Sequence, residues 1–194
     1  MRSLGVLLVL CFVAIFPVQG QVPQIPPQAA PPAAMSRSVF LDAVESTGSS
    51  KTINHWRDIS GAYSQTKTSS RELSITARNM SALPGEFEIE WYFFGKPASG
   101  SGRFLYDKGS KKLTLAPNAS EKFAIDSKEL SNHTTRGDYY YYYGYTYNSG
   151  DKADGWVIRA KVGEEVVRVK ASNAVLEQLT ANAEAFTKLT NTHK

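Results

Sequence analysis

Residues 86–94 read E-F-E-I-E-W-Y-F-F, and this stretch decides the fold class of the chain. Its first eight positions alternate between glutamate or tyrosine and large apolar side chains. Because successive side chains of a β-strand point to opposite faces of a sheet, this alternation predicts a strand with one buried face. Residues 71–78, R-E-L-S-I-T-A-R, repeat the pattern with smaller side chains. The chain is therefore predicted to be built on β-sheet.

The segments around these two strands carry shorter signals. Residues 53–63 fit helical spacing and edge-strand spacing equally well. Residues 126–138 are polar and predicted to be irregular, and residues 148–155 are rich in Gly, Asp and Asn and predicted to be a hairpin loop. Short strands are predicted at residues 39–44, 103–106, 112–115 and 122–125, with 103–106 and 112–115 forming a hairpin.

For the hairpin that follows residue 155, the sequence predicts which residues pair across its two strands. Gly163 and Glu164 are taken as a two-residue loop, since a type II′ turn needs glycine at its first central position. One face of the hairpin is then entirely apolar. The other face pairs Arg159 with Arg168 and also carries Lys161 and Lys170. Two like charges opposite each other destabilise a sheet. We therefore expect either the glutamates of residues 86–90 or an anionic glycan or lipid head group to neutralise them.

At the end of the chain, the spacing of apolar residues changes from that of a strand to that of a helix. Residues 172–194 place apolar side chains at helical spacing after Ser172 and Asn173, which are both candidate N-caps. An amphipathic C-terminal helix and tail are predicted. Eight or nine strands followed by a helix are typical of a mainly-β protein. A single antiparallel β-sandwich domain is expected over residues 37–171.

Three segments together resemble a known class of domain. They are L-S-I-T-A-R-N-M-S from Leu73, E-F-E-I-E-W-Y-F-F-G from Glu86 and L-T-L-A-P-N-A-S-E-K-F from Leu113. In this order they resemble the immunoglobulin-like domains of uncharacterised exported bacterial proteins. Trp91 stands mid-strand, where such sandwiches place a core tryptophan, and residues 137–139 resemble a tyrosine corner. The resemblance implies an immunoglobulin-like sandwich and export.

The N-terminal residues independently predict export. Residues 1–20 combine a short positive start, a run of thirteen apolar residues from Leu4 to Phe16, and small or apolar residues at Val18 and Gly20, the −3 and −1 positions of a predicted cleavage site after Gly20. This pattern is typical of a signal peptide, and the run is shorter than the ~20 residues that span a bilayer. Residues 21–36 form a Pro/Gln/Ala-rich linker, either a stalk or a disordered leader. We expect a secreted or periplasmic protein that is peripheral to a membrane at most.

Catalytic and cofactor motifs are lacking in the sequence. Its three histidines lie in separate segments, and no nucleophile, phosphate-binding or metalloprotease motif accompanies them. Glu86, Glu88 and Glu90 share one face of the predicted strand. They could form a cation site, supply a pair of catalytic carboxylates, or lie on a solvated face where arginines neutralise them. We interpret them as the last of these, and predict no enzyme, cofactor or metal. The net charge of +4 is too small to indicate a nucleic-acid partner.

Residues 139–147, Y-Y-Y-Y-Y-G-Y-T-Y, hold seven of the ten tyrosines. As a strand, they place Tyr140 and Tyr142 on the exposed face and the odd-numbered tyrosines in the core, or else they present an aromatic platform. The candidate binding residues are Tyr140, Tyr142, Arg159 and Arg168. The expected function is an exported, non-enzymatic binding or structural module of the cell envelope or extracellular space. The alternative is a carbohydrate-binding or adhesion domain that uses the tyrosine strand. The expected partner is an envelope protein or a polysaccharide.

Three N-x-S/T sequons complete the candidate sites. They begin at Asn79, Asn118 and Asn132, and in a eukaryotic secretory chain they are possible acceptors of N-linked glycans.

Overall fold

The computed structural model describes residues 38–56, 63–137 and 145–192. Within these ranges the chain is antiparallel β-sheet followed by two short helices, which confirms the predicted mainly-β class. The helices are α1 (Ala174–Ala181) and α2 (Ala183–Asn191). The strands are β1 (Val39–Trp56), β2 (Tyr63–Asn79), β3 (Gly85–Pro97), β4 (Phe104–Leu115), β5 (Ser120–Asp126), β6 (Leu130–Gly137), β7 (Tyr145–Val162) and β8 (Glu165–Ala171).

The strands form two layers that share strand β7. The hydrogen-bonded order is β1-β2-β6-β7-β3-β4, with β5 added to β2 and β8 added to β7. The first residues of β7 pair with β6, and its later residues pair with β3 and β8. One layer therefore consists of β1, β2, β5, β6 and the start of β7, and the other consists of β3, β4, β8 and the rest of β7.

The inner core lies between the two layers and consists of the apolar side chains of the strands whose sequences alternate. Leu73, Ile75 and Ile89 are fully buried in it, as the alternation predicted. Trp156 is the tryptophan buried there, whereas Trp91 is only partly buried and packs against it. Glu45 Oε2 accepts a hydrogen bond of 2.9 Å from Trp156 Nε1, so the one polar atom of this ring is satisfied. The immunoglobulin-like character of the sandwich stays a prediction.

A second, outer core holds the helices against the far face of the β3–β7 layer. Leu176 and Phe186 from the helices pack on Phe94, Leu105 and Val157 from the sheet. The predicted N-cap is confirmed, because Asn173 Oδ1 accepts from the Leu176 backbone N–H at 3.0 Å.

The predicted C-terminal helical region is divided into two short helices rather than forming one. Asn182 has an extended backbone, ends α1 and caps α2 by accepting from the Ala185 N–H. Asparagine is a favourable N-cap because its short side chain reaches the free N–H groups of the next turn.

Several strand boundaries also differ from the predictions. Residues 103–106 and 112–115 do not form a hairpin, because β4 runs without a turn between them. Strand β6 occupies most of the segment predicted to be irregular, and residues 148–155 lie inside β7 rather than in a loop. Strand β6 and this part of β7 are polar on both faces, so a search for alternating apolar residues does not detect them.

The last hairpin has the predicted turn but a different register. Gly163 has the positive φ of 59° that such a turn requires, and Lys161 pairs with Val166 as predicted. A β-bulge follows, so that Arg159 lies opposite Val169 and Arg168 lies opposite Ala160. The predicted Arg159–Arg168 pair is therefore wrong. The extra residue lets β8 place Val167 in the inner core and Val169 against the outer core.

One end of the first layer extends beyond both cores. It consists of residues 50–56, 63–69, 130–137 and 145–152, which form four adjacent antiparallel strand segments. Neither core takes a side chain from these segments. We call them the arm.

Candidate functional site

The arm presents two faces, which the strand registers define. Residues directly opposite one another in antiparallel strands share a face. The tyrosine face carries His55, Ser64, Thr135 and Tyr147 in one row across the four strands, and Ile53, Thr66, His133 and Ser149 in the next. The amide face carries Asn54, Gln65, Thr134 and Asn148 in one row, and Thr52, Lys67, Asn132 and Gly150 in another.

Tyrosines 145 and 147 are the most exposed large aromatic side chains of the described residues. Tyr145 is 50% exposed and Tyr147 is 60% exposed. The prediction that the odd-numbered tyrosines line the core is wrong for these two, because this end of β7 lies beyond the second layer. Tyr140 and Tyr142 lie outside the described residues, so their predicted exposure stays a prediction.

Hydrogen bonds between side chains hold the tyrosine face in place. His133 lies 2.9 Å from Thr66 Oγ1 through Nδ1 and 3.0 Å from Thr135 Oγ1 through Nε2. Both ring nitrogens are therefore occupied, which favours an orienting role for this histidine over a basic one. Gly137 leaves room for the Tyr145 ring, since a Cβ built on it would lie 2.4 Å from ring carbons.

Arg159 belongs to a different, half-buried cluster at the edge of the outer core. Its Nη2 donates to Glu90 Oε2 at 2.6 Å and to the Tyr92 hydroxyl at 2.7 Å. Its guanidinium also stacks 4.6 Å from the centre of the Phe186 ring. Lys161 Nζ lies 3.4 Å from the other Glu90 oxygen. The cluster thus neutralises Glu90 from within the protein, as predicted, and leaves Arg159 unsuited to capturing an external anion.

Burial and charge set the pKa values of this cluster. Desolvation opposes ionisation of Glu90, but hydrogen bonds and charge from Arg159, helped by Tyr92 and Lys161, hold its pKa below the ordinary value. Burial raises the pKa of Tyr92 to about 12. The ion pair is therefore present at neutral pH, and its loss on acidification is a measurable property.

We expect the free energy of unfolding to fall as the pH is lowered below about 5. The folded-state pKa of Glu90 is depressed, so its stabilisation is present above the unfolded-state pKa and is lost as pH falls through the folded-state value. Urea unfolding at pH 7, 5, 4 and 3 measures this slope. In Arg159→Gln the buried carboxylate loses its partner, and the slope should become shallower. Arg168→Gln is the control, and an identical slope for both variants would contradict the assignment.

The other predicted basic residues lie on the opposite face of the hairpin. The bulge places Arg168 opposite Ala160 and Lys170 opposite Ile158, whereas Arg159 and Lys161 lie on the face of Glu90. Lys170 forms an ion pair with Asp42 on β1, and Arg168 is exposed. The predicted basic face is therefore split in two, and Arg159 and Arg168 do not form one site.

Within residues 38–56, 63–137 and 145–192, no group of three or more His, Cys, Asp or Glu side chains is arranged to hold a metal ion. On the arm, His55 lies opposite Ser64, and both ring nitrogens of His133 are engaged by Thr66 and Thr135. Neither α1 nor α2 has the length or apolar character needed to cross a membrane.

The sequence interpretation missed the arm as a surface. Its strands alternate between amides or cations on one side and Ser, Thr, His or Tyr on the other. This is a period of two without any apolar face, so a search for hydrophobic alternation passes over it. The β-favouring Thr residues at 66, 68, 134 and 135 are a local signal that points to strands.

Comparison with known proteins returned no family model and no curated protein that matches the chain. A Northeast Structural Genomics Consortium target is similar at 10% identity and a TM-score of 0.32, over 62% of this chain and 86% of that one. A putative beta-galactosidase from Bacteroides fragilis matches at 12% identity and a TM-score of 0.29, over 62% of this chain and 15% of the enzyme. A beta-glucosidase from Listeria innocua matches at 12% identity and a TM-score of 0.25, over 57% of this chain and 16% of the enzyme. Similarity at these TM-scores carries no functional argument.

Proposed function

We propose that this chain is an exported, non-enzymatic binding module of the cell envelope or extracellular space, and that the tyrosine face of the arm contacts the partner. The observation that carries the proposal is the exposure of Tyr145 and Tyr147, at 50% and 60%, on a sheet segment outside both cores. Export is supported by the pattern of residues 1–20.

The physical chemistry of this face suits binding. Tyrosine offers a rigid apolar ring with a polar tip and loses little conformational entropy when it is covered. Two tyrosines on one face of one strand, two positions apart, are separated by about 7 Å along the strand. Ile53, which is 40% exposed, adds apolar area on the far strand of the same face. Hydrogen bonds of His133 to Thr66 on the neighbouring strand and to Thr135 on its own strand stiffen the surface.

An envelope polysaccharide is the second, narrower candidate for the partner. The same face carries the side chains of Ser64, Thr66 and Thr135, and Thr135 lies opposite Tyr147. A sugar ring presents both an apolar face for stacking and hydroxyls for hydrogen bonds, so this mixture matches it. An envelope protein meets the same surface through tyrosine-rich packing.

We expect the variant with Tyr145→Ala and Tyr147→Ala to lose retention on the envelope fraction that retains the wild-type chain. The readout is the bound fraction on immobilised polysaccharides and envelope fractions at fixed protein concentration. Because each tyrosine that is a contact anchor contributes upwards of about 1 kcal/mol, the double variant should bind at least about tenfold more weakly.

The control carries Phe40→Ala and Val44→Ala, which are 46% and 63% exposed and lie on β1 away from the arm. It removes similarly exposed apolar side chains elsewhere on the molecule. Circular dichroism and the urea midpoint establish that both variants are folded. Equal retention of the two variants would overturn the tyrosine face as the contact surface.

A further inference from the structure

The amide face of the arm is rich in carboxamide side chains. Its central row, Asn54, Gln65, Thr134 and Asn148, crosses all four strands and contains three carboxamides. Asn132 adds a fourth on the neighbouring row. Carboxamides carry both donors and acceptors, which is the pairing that a hydroxyl-rich ligand requires.

Short hydrogen bonds hold the amides of this row. Asn54 Oδ1 accepts from the Tyr63 hydroxyl at 2.8 Å and from Gln65 Nε2 at 3.1 Å. Thr134 Oγ1 donates to Asn148 Oδ1 at 2.9 Å. The oxygens of Asn54 and Asn148 are thus engaged, and their amino groups have no hydrogen-bond partner among the described residues. A surface so arranged is preorganised to donate hydrogen bonds to a ligand.

A shallow pocket of about 220 Å³ opens on the same face. It is lined by Asn132, Thr134, Asn148 and Lys152 from the arm and by Ala98 from the segment after β3. The Ala98 N–H donates to the Gly150 carbonyl at 2.8 Å, which fixes this segment against the arm. The pocket therefore has a defined wall, and polar groups line it on the arm side.

The charge on this face has one sign. Lys67, Arg136 and Lys152 are exposed, and none of them forms an ion pair with a residue in the described ranges. No Asp or Glu lies on the amide-face positions of the four segments. Along β7, strand alternation places Asp151 on the opposite face, and Asp154 is neutralised by Lys96 and Arg103. Desolvation opposes its ionisation, but both cations hold its pKa below the ordinary value.

We propose that the amide face binds an anionic polysaccharide, a glycan chain that carries carboxylate, sulfate or phosphate groups. This goes beyond the proposed function, because it assigns a second surface with its own ligand class. Lys67 and Arg136 lie four residues apart along the sheet, and strand geometry places them roughly 13 Å apart. A single small anion does not bridge that distance, whereas a polymer with repeated charges does.

Other polyanions fit this surface less well. Nucleic-acid binding uses aromatic rings that stack on bases, and the Tyr63 ring on this face is tied by its hydroxyl to Asn54. Anionic membranes attract clustered lysines and an apolar anchor, and these three cations are spread over the face. Amides beside separated cations match a chain that alternates hydroxyls with charges.

Affinity electrophoresis of the full chain through gels containing polygalacturonate tests the proposal. Gels with fully methyl-esterified polygalacturonate serve as the uncharged counterpart. We expect retardation by the acidic polymer alone, weakened by added salt. The variant with Lys67→Gln, Arg136→Gln and Lys152→Gln should bind about tenfold more weakly.

A charge-matched variant keeps the test specific. It carries Lys108→Gln, Lys112→Gln and Lys122→Gln, three exposed lysines outside the arm, and should be retarded like the wild type. Asn54→Ala with Asn148→Ala should also weaken retardation, although it removes no charge. Equal retardation of the two charge variants overturns the proposal. So does stronger retardation by single-stranded DNA, or stronger binding to anionic vesicles, that depends on the same three cations. The Tyr145/Tyr147 double variant, run alongside, reports on the proposed function separately.

Discussion

Replacing Asn79 by alanine is expected to lower the free energy of unfolding by about 3 kcal/mol. Asn79 is fully buried at the end of β2, and its Nδ2 donates to the carbonyls of Leu83, Leu115 and Ala116 at 2.8, 3.2 and 3.3 Å. Its Oδ1 accepts from the Ser81 N–H at 2.9 Å. The truncation leaves several backbone groups without partners away from water. Urea denaturation followed by tryptophan fluorescence measures the change.

Ser81→Ala is the matched control for this prediction. It removes one exposed side-chain bond, from the Leu83 N–H to Ser81 Oγ at 3.1 Å, in the same turn. Its cost should stay below about 1 kcal/mol. If Asn79→Ala cost no more than the control, the side chain would not be tying the β2 end to β4. The burial of Asn79 also means that the sequon it begins is not accessible in the folded protein.

Replacing Phe186 by alanine is expected to lower the free energy of unfolding by about 3–5 kcal/mol. Phe186 is 4% exposed and meets Phe94 and Tyr92 edge-to-face, at centroid distances of 6.4 and 5.1 Å. Its ring also lies under the Arg159 guanidinium. The truncation removes the main anchor of α2 and opens a cavity beside the Glu90–Arg159 ion pair. Thermal and urea unfolding measure the loss.

Val175→Ala is the control on the neighbouring helix, because Val175 is 56% exposed. It should change stability by less than about 0.5 kcal/mol. A small effect of Phe186→Ala would show that the helices contribute little to the fold. A large effect that Phe186→Leu mostly restores would assign the loss to packing rather than to the cation–π contact.

The core strands and the arm were predictable to different degrees. Leu73, Ile75, Ile89 and Phe93 could be assigned to a core from their spacing alone, because each lies on a strand with one apolar face. Strand β6 could not, since polar side chains on both faces carry no signal of which side is buried.

The candidate sites were predictable only in part. The spacing of residues 139–147 predicts a strand but leaves open whether Tyr145 and Tyr147 line a core or form an exposed platform, because a strand's period does not say how far the opposite layer extends. Counting residues outward from the turn at Gly163 and Glu164, which is correct, predicts that Arg159 pairs with Arg168. One bulged residue separated them, and bulges have no reliable sequence mark in a run of valines and arginines.

By itself, the sequence determined the fold class, the buried faces of β2 and β3, the turn at Gly163 and the N-cap at Asn173. These are local properties, in which side-chain period and backbone preference act within a few residues of one another. The tertiary structure alone decided which strands extend past the cores and where β7 passes from one layer to the other. It also decided which cations form ion pairs. Those outcomes depend on contacts between segments far apart in the chain, and local spacing carries no information about them.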